Sequence, residues 1–400
     1  MIDFFNPRSI LLFFCILQSI VFAALLIYRG LKKHSTCDFW LAGLLVLLSL
    51  DNVPHFIGFA GVYDAYHDLS YFPFENPFAI GAIIYLYVQT LTKSERAFSR
   101  RDILLFLPAL GYFAYRTLIF LQPLSFKDWF DDKVHVPFVM PFLTIAAILC
   151  NSIFLYRSIR HYRHYRYWLN ANFSDTEAIK FDWLRNFLYL FAVVLACSAI
   201  FDLTNSFIVR LSYKQYFWWH IIAAVVSYYL AIAGYLRSES IKAEFPRADI
   251  QADWSLATER PLETETTKAL RQLEAVKEWK GKLQDSMATA KPYLESQLTL
   301  AELAKRLGVN SNVLSFVINT GFEKNFNDFI NEHRVAEVKA RLENSSSNNL
   351  NLLGIALECG FNSKATFNRA FRKFTGLSPK EYQNRLSESQ IPQNTSQITN

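Results

Sequence analysis

Residues Asn351 to Pro379 read NLLGIALECGFNSKATFNRAFRKFTGLSP, and the pattern predicts a helix, a tight turn and a second helix. Leu352, Ile355, Ala356 and Leu357 make a short apolar helix that stops at Cys359-Gly360, where glycine takes a positive φ that other residues resist. Phe361 plugs the corner. Asn362 is expected to cap the next helix, its side-chain oxygen accepting from the first unpaired N–H groups. In that helix Phe367, Ala370, Phe371 and Phe374 recur at three- and four-residue steps, an apolar stripe for a core. Ala365, Asn368, Arg369 and Arg372 fall on the opposite face, with Ser363 and Lys364 at its start and Lys373 near its end. A helix packed on one side and carrying amides and guanidiniums on the other suits a DNA major groove. The plainer alternative is a solvated amphipathic helix.

A second copy of the pattern lies upstream. In LTLAELAKRLG, residues 298–308, Leu300, Leu303, Ala304 and Leu307 point inward, and Thr299 with Glu302 forms a capping box. Gly308-Val309 makes the turn and Asn310 caps the following helix. There Leu314, Val317 and Ile318 face a core, while Asn312, Ser315, Phe316 and Asn319 face outward. Between the two units Phe326–Asn344 predicts a longer helix with Phe329, Ile330, Val335, Val338 and Leu342 buried. Further upstream, Thr266–Ala290 carries Leu270, Leu273, Val276, Leu283 and Met287 at mostly helical steps. That is a connecting helix and a candidate for pairing with a second copy of the chain, although Lys280 interrupts the seam.

The first 237 residues are of another kind. The chain has 400 residues, 52% of them hydrophobic, with 36 phenylalanines, and almost all long apolar runs lie before residue 240. Seven stretches read as long and apolar enough to be membrane spans, each of which needs about 20 residues: Ser9–Tyr28, Asp38–Ala60, Pro77–Leu91, Ile103–Leu121, Val136–Tyr156, Phe187–Ile208 and Tyr216–Leu236. Pro54, Pro73 and Pro77 make the second and third the least regular. The first run is too long for a cleaved signal peptide and lacks a small-residue cleavage site. Eleven basic residues (Arg29, Lys32, Lys33; Lys93, Arg96, Arg100, Arg101; Arg157, Arg160, Arg163, Arg166) flank one set of loops. Four (Lys127, Lys133, Arg210, Lys214) flank the other. The positive-inside rule then puts the N-terminus outside and the C-terminus inside.

Polar groups within these stretches include Gln18, Asp51, Asn52, His55, Arg116, Asn151, Asp202, Asn205 and His220. Ionisable groups in hydrocarbon are costly, so Asp51, Arg116, Asp202 and His220 are candidates for an intramembrane ligand pocket or ion pair. The alternative is that they hold helices together. His161 and His164 have metal-ligand spacing but stand among four arginines, which favours a headgroup-binding basic segment.

Lys291 to Arg385 closely resembles the DNA-binding domain of the AraC/XylS transcription regulators. The matching motifs are LTLAELAKRLGV, FNDFINEHRVAEVKARL and IALECGFNSKATFNRAFRKFTGLSPKEY. In the last of these Ile355-Ala356, Gly360-Phe361, Phe367, Phe371, Phe374, Gly376, Ser378-Pro379 and Tyr382 fill the family's positions. The resemblance implies a seven-helix, all-α domain whose two recognition helices enter successive major grooves. Seven spans followed by such a domain also looks like a group of membrane-bound regulators of this family in Bacteroidetes-like bacteria. Phe316 departs from the pattern, standing where the family often has a polar or basic residue.

The expected architecture is thus all-α: a seven-span sensor-like bundle (1–237), a linker with a signalling helix (238–290), an AraC-type domain (291–385) and a disordered Ser/Gln/Asn-rich tail (386–400). The expected partners are double-stranded DNA, the bilayer of a bacterial inner membrane, an unknown small-molecule or membrane signal, a second copy of the chain and RNA polymerase. Lys291–Arg385 holds 13 Lys and Arg against 9 Asp and Glu, a net of +4, compatible with phosphate contacts. Lys364 and Arg369 are expected at base or groove edges, Arg372 and Lys373 at phosphates, and Asn312 and Ser315 in the first helix. Five cysteines form no CxxC pair, so neither a disulfide scaffold nor a zinc module is expected. No GxxxxGK[ST], HExxH or GxSxG occurs; no enzyme activity, metal or cofactor is expected. The competing function is a membrane transporter or enzyme with an appended autoregulatory helix-turn-helix domain.

Overall fold

The computed structural model describes residue 4 and residues 6–92, 99–177, 181–209, 211, 213–236, 265–344 and 351–389. Every regular element among them is helical. The chain divides into two compact units, one of residues 1–164 with 181–245, the other of residues 165–180 with 246–400. The first half of the expected linker (238–264), the Lys93–Arg96 stretch, Arg210 and most of the tail lie outside the described residues.

The first unit contains α1 (Pro7–Lys33), α2 (Thr36–Phe59), α3 (Ala79–Thr92), α4 (Leu107–Phe120), most of α5 (Met140–Asn172), α6 (Asp182–Phe207) and α7 (Tyr213–Tyr235). Asn6 caps α1 and Pro7 occupies its first turn, where a missing N–H costs nothing. Pro54 lies inside α2 without ending it. Among the described residues, six helical segments are long and apolar enough to cross a membrane by length and composition. The seventh, α3, has 14 residues, about 21 Å at 1.5 Å per residue, short of the ~30 Å of a hydrocarbon core.

Leu26 of α1, Leu41 and Leu45 of α2, Ile84 and Tyr87 of α3, Leu184 and Phe187 of α6 and Leu230 of α7 share one core. Other apolar side chains of this unit point outward: Leu110 of α4, Phe142 of α5 and Ile200 of α6 are exposed. Arg29 donates to both carboxylate oxygens of buried Asp38 at 2.8 and 2.9 Å and to the Gly234 carbonyl at 3.0 Å, tying α1, α2 and α7. Asn151 proves structural: its Oδ1 accepts from Gly81 N at 2.9 Å and its Nδ2 donates to the Pro77 and Ala147 carbonyls.

The described residues of the second unit include the helices α8 (Glu265–Thr289), α9 (Leu300–Leu307), α10 (Ser311–Gly321), α11 (Phe326–Asn344), α12 (Leu352–Glu358), α13 (Lys364–Thr375) and α14 (Pro379–Ser389). Helix α11 is the shared wall. Phe326, Phe329 and Ile330 from its first half pack with Leu300, Leu303, Leu314 and Ile318. Val335, Val338 and Leu342 from its second half pack with Ile355, Phe361, Phe367 and Phe371. Leu283 and Met287 of α8 join the first of these cores, and Val276 is also buried. That half of the seam therefore packs within its own unit; the side chains of Leu270 and Leu273 lie outside the described residues.

Candidate nucleic-acid interface

The two helix-turn-helix units use one hydrogen-bond pattern. In the first, Val309 N donates to the Ala304 carbonyl at 3.0 Å and Gly308 N to Lys305 at 3.2 Å; in the second, Phe361 N donates to Ala356 at 3.0 Å and Gly360 N to Leu357 at 3.1 Å. This is the helix-ending motif that a left-handed residue permits, and Gly308 and Gly360 have φ of 68° and 90°. The start of α9 carries the expected capping box: Thr299 Oγ1 accepts from Glu302 N, and the Glu302 carboxylate accepts from Thr299 N. Asn310 caps α10, accepting from Asn312 N at 2.8 Å.

The cap of α13 differs from expectation. Ser363, not Asn362, holds the position, its Oγ accepting from Thr366 N at 3.1 Å. The second turn is one residue longer between glycine and cap than the first, which moves the capping duty to the serine. The displaced Asn362 side chain instead donates to the Ser296 carbonyl at 3.1 Å and to Asp175 at 2.7 Å. Leu357, read as part of the apolar face of α12, is exposed.

On α10, Asn312 and Asn319 are exposed while Ser315 and Phe316 are half-buried; Asn319 Nδ2 donates to Ser315 Oγ at 3.3 Å. On α13, Lys364, Asn368, Arg369, Arg372 and Lys373 are exposed and Ser363 is half-buried as the cap. The face predicted for the groove is thus turned outward, and Phe367, Ala370 and Phe371 on its opposite side are buried. Lys373 differs from its neighbour Arg372 in being bonded to Asp328 of α11 at 2.6 Å. Breaking that pair would offset what Lys373 gains at a phosphate. Arg372→Ala is therefore expected to lower the salt slope of DNA binding by about 1, with a smaller change for Lys373→Ala; titrations at several salt concentrations measure both.

The turn before α9 is held from two sides. Arg334 of α11, with 0% of its surface exposed, donates from Nε to the Tyr293 carbonyl and from Nη2 to the Glu295 carbonyl, both at 2.7 Å. Its Nη1 reaches Asn331 Oδ1 at 3.3 Å. Burial pulls this guanidinium down to about 10. On the same turn Glu337 accepts from Lys291 and from Tyr293 Oη, and these bonds hold its carboxyl below the ordinary glutamate range. The sequence reading passed over Arg334, because its place beside Val335 on an apolar helix face carries no polar signal.

In the first unit, Asp51, Glu75 and Asp202 lie within reach of one another's charge, and Glu75 within reach of Arg116. Arg116 and Glu75 line a small cleft of about 60 Å³ with Pro54, Tyr63 and Tyr112. Asp202 accepts from Ser198 Oγ at 3.0 Å. His220 stands apart, its ring centroid 3.6 Å from that of His55. Three of the four candidates, Asp51, Arg116 and Asp202, thus gather around Glu75. His161 Nε2 is 2.8 Å from Thr92 Oγ1.

Residues 303–385 match the family described as a helix-turn-helix domain. An HTH-type transcriptional regulator of Staphylococcus aureus (strain COL) is 31% identical over 90 residues, 22% of this chain and 12% of that protein. The melibiose operon regulatory protein of Escherichia coli (strain K12) is 28% identical over 88 residues, 22% of this chain and 28% of its own length. Regulatory protein SoxS of the same strain is 25% identical over 104 residues, 26% of this chain and 94% of SoxS. The chain thus spans about an eighth of the length of the first of these relatives. No solved structure matches it. Two glycine-turned units on one shared helix, together with these likenesses, make residues 303–385 similar to the helix-turn-helix domains of transcription regulators.

Proposed function

We propose that the protein is a membrane-embedded, sequence-specific DNA-binding regulator that couples an external or intramembrane signal to transcription. The observation that carries the DNA-binding half is the paired outward faces of α10 and α13, one per helix-turn-helix unit, on a core that buries the opposite side of each helix. The membrane half is supported by six apolar helical segments of spanning length and by the outward leucines and phenylalanines of the first unit. Residues 165–180, the end of α5 and the segment leading toward α6, fold into one unit with the C-terminal helices. That supports a common side for this loop and the DNA-binding domain, the inner side by the positive-inside rule. In this reading the Asp51–Glu75–Arg116–Asp202 group receives the signal, and RNA polymerase is the partner on DNA.

The full chain in detergent micelles, offered a random pool of duplexes at fixed salt, should enrich a defined sequence. Arg369→Ala should relax the preference at one position by about 1–3 kcal/mol. A uniform loss on all sequences would make Arg369 a phosphate contact instead, and failure to enrich any sequence would remove the regulator reading. Labelling an introduced cysteine at Ser389 from the outside of intact cells tests the orientation; labelling there would overturn it.

A further inference from the structure

The segment Phe173–Glu177, which follows α5, is seated on the DNA-binding domain. Ser174 has 0% of its surface exposed. Its N–H and its hydroxyl both donate to the Leu298 carbonyl, at 3.2 and 2.7 Å. Its Oγ also accepts from Arg334 Nη2 at 3.2 Å. Asn327 Nδ2 donates to the carbonyls of Phe173 and Ser174 at 3.1 and 2.8 Å, and Phe173 bridges to Thr299 in antiparallel fashion. The anchor is read mainly through the backbone of the segment and fits a small hydroxyl residue at its centre.

From this anchor two carboxylates reach the second helix-turn-helix unit. Asp175 accepts from Asn362 Nδ2 at 2.7 Å, and Glu177 forms an ion pair with Arg369. These are the turn and the outward face of α13, where the groove-edge contact is expected. Arg369 keeps 56% of its side chain exposed, so the segment does not wall it off. It occupies the guanidinium, and it sets two negative charges within a Debye length of any phosphate that approaches.

We propose that Phe173–Glu177 is an intramolecular competitor of DNA: docked, it holds Arg369 on Glu177, and the domain binds DNA with that ion pair released. The inference rests on the DNA-binding reading above. Because the segment is joined covalently to α5 and leads in sequence to α6, movement in those helices reaches it through the chain itself. A signal at the intramembrane charged group could then alter the docking of the segment and so the freedom of Arg369. The conformational change required is the loss of one exposed ion pair and one side-chain hydrogen bond, followed by release of the Ser174 anchor.

The test compares the full chain with Asp175→Asn/Glu177→Gln, which keeps side-chain shape and removes both charges. The probe is a 40-base-pair duplex that the wild-type chain selects from a random pool. At low salt the variant should bind it about 3- to 10-fold more tightly, the advantage shrinking as salt screens it. Hydrogen exchange is read on the same samples: saturating duplex should raise exchange at residues 173–177 of the wild type. Equal or weaker binding by the variant, or exchange unchanged by duplex, overturns the competitor proposal while leaving the regulator reading intact. If the wild type selects no duplex at all, the regulator reading fails and the proposal falls with it.

Discussion

Replacing Arg334 with methionine should destabilise the second unit by about 3–5 kcal/mol. The side chain donates to the carbonyls of Tyr293 and Glu295 and to the side chains of Asn331 and Ser174. Methionine fills similar volume and donates to none of them. Each buried acceptor left without a donor costs about 1–3 kcal/mol, which relaxation and entering water partly recover. Against this stands the relief of a desolvated charge, whose cost is visible in the depressed guanidinium. The orphaned acceptors outweigh that relief, since four contacts are lost for one charge removed. Denaturant unfolding of the full chain in detergent, followed by hydrogen exchange of peptides spanning residues 293–298 and 329–342, measures the effect. A loss below about 1 kcal/mol would mean that the turn is held by packing rather than by these bonds. Lysine at 334 should recover part of the stability, because an ammonium donates but cannot span both carbonyls as a planar fork does.

Gly360→Ala should be the second large effect, and Gly308→Ala its internal control. Both glycines have positive φ, which costs an L-residue about 1–2 kcal/mol. At Gly308 nothing stands within 4 Å of an added methyl. At Gly360 the methyl would meet the Tyr293 carbonyl oxygen at 2.5 Å and that of Leu294 at 2.8 Å. These are backbone atoms of a turn that Arg334 holds through the flanking Tyr293 and Glu295 carbonyls, and moving them adds about 1–3 kcal/mol of overpacking strain. Alanine should therefore cost about 1–2 kcal/mol at 308 and about 2–5 kcal/mol at 360. Equal losses at the two sites would show that the turn at Pro292–Leu294 yields freely. The same variants report on function, because Gly360 sets where α13 begins and thus where Arg369 points.

The periodicities of α9, α10, α11, α12 and α13 were legible because one face of each helix is buried on a core and the other is not. A three- or four-residue step in apolar residues is the direct image of that asymmetry. The glycine turns were legible for a related reason: no other residue takes their φ at low cost. Caps were less so. Asn362 and Ser363 are both good capping residues, and only the length of the turn, with Asp175 waiting on one side, selects the serine. Glu75 and Arg334 escaped notice because a charged residue beside prolines or on an apolar face has no pattern of its own. The seam of α8 was ambiguous in the same way, since an apolar stripe does not say whether its partner is a second chain or, as for Leu283 and Met287, the helices of its own unit.

Local order along the chain, helix after helix with its turns, is written in short-range patterns of side-chain size, charge and backbone freedom. These act over four or five residues, and the amino-acid sequence alone determined them. Which distant residues meet is a matter of long-range packing: Ser174 beneath Leu298, Glu177 on Arg369, Glu75 among Asp51, Asp202 and Arg116. Such meetings follow from how whole helices settle against one another, and no spacing in the sequence records it. Only the tertiary structure decided them.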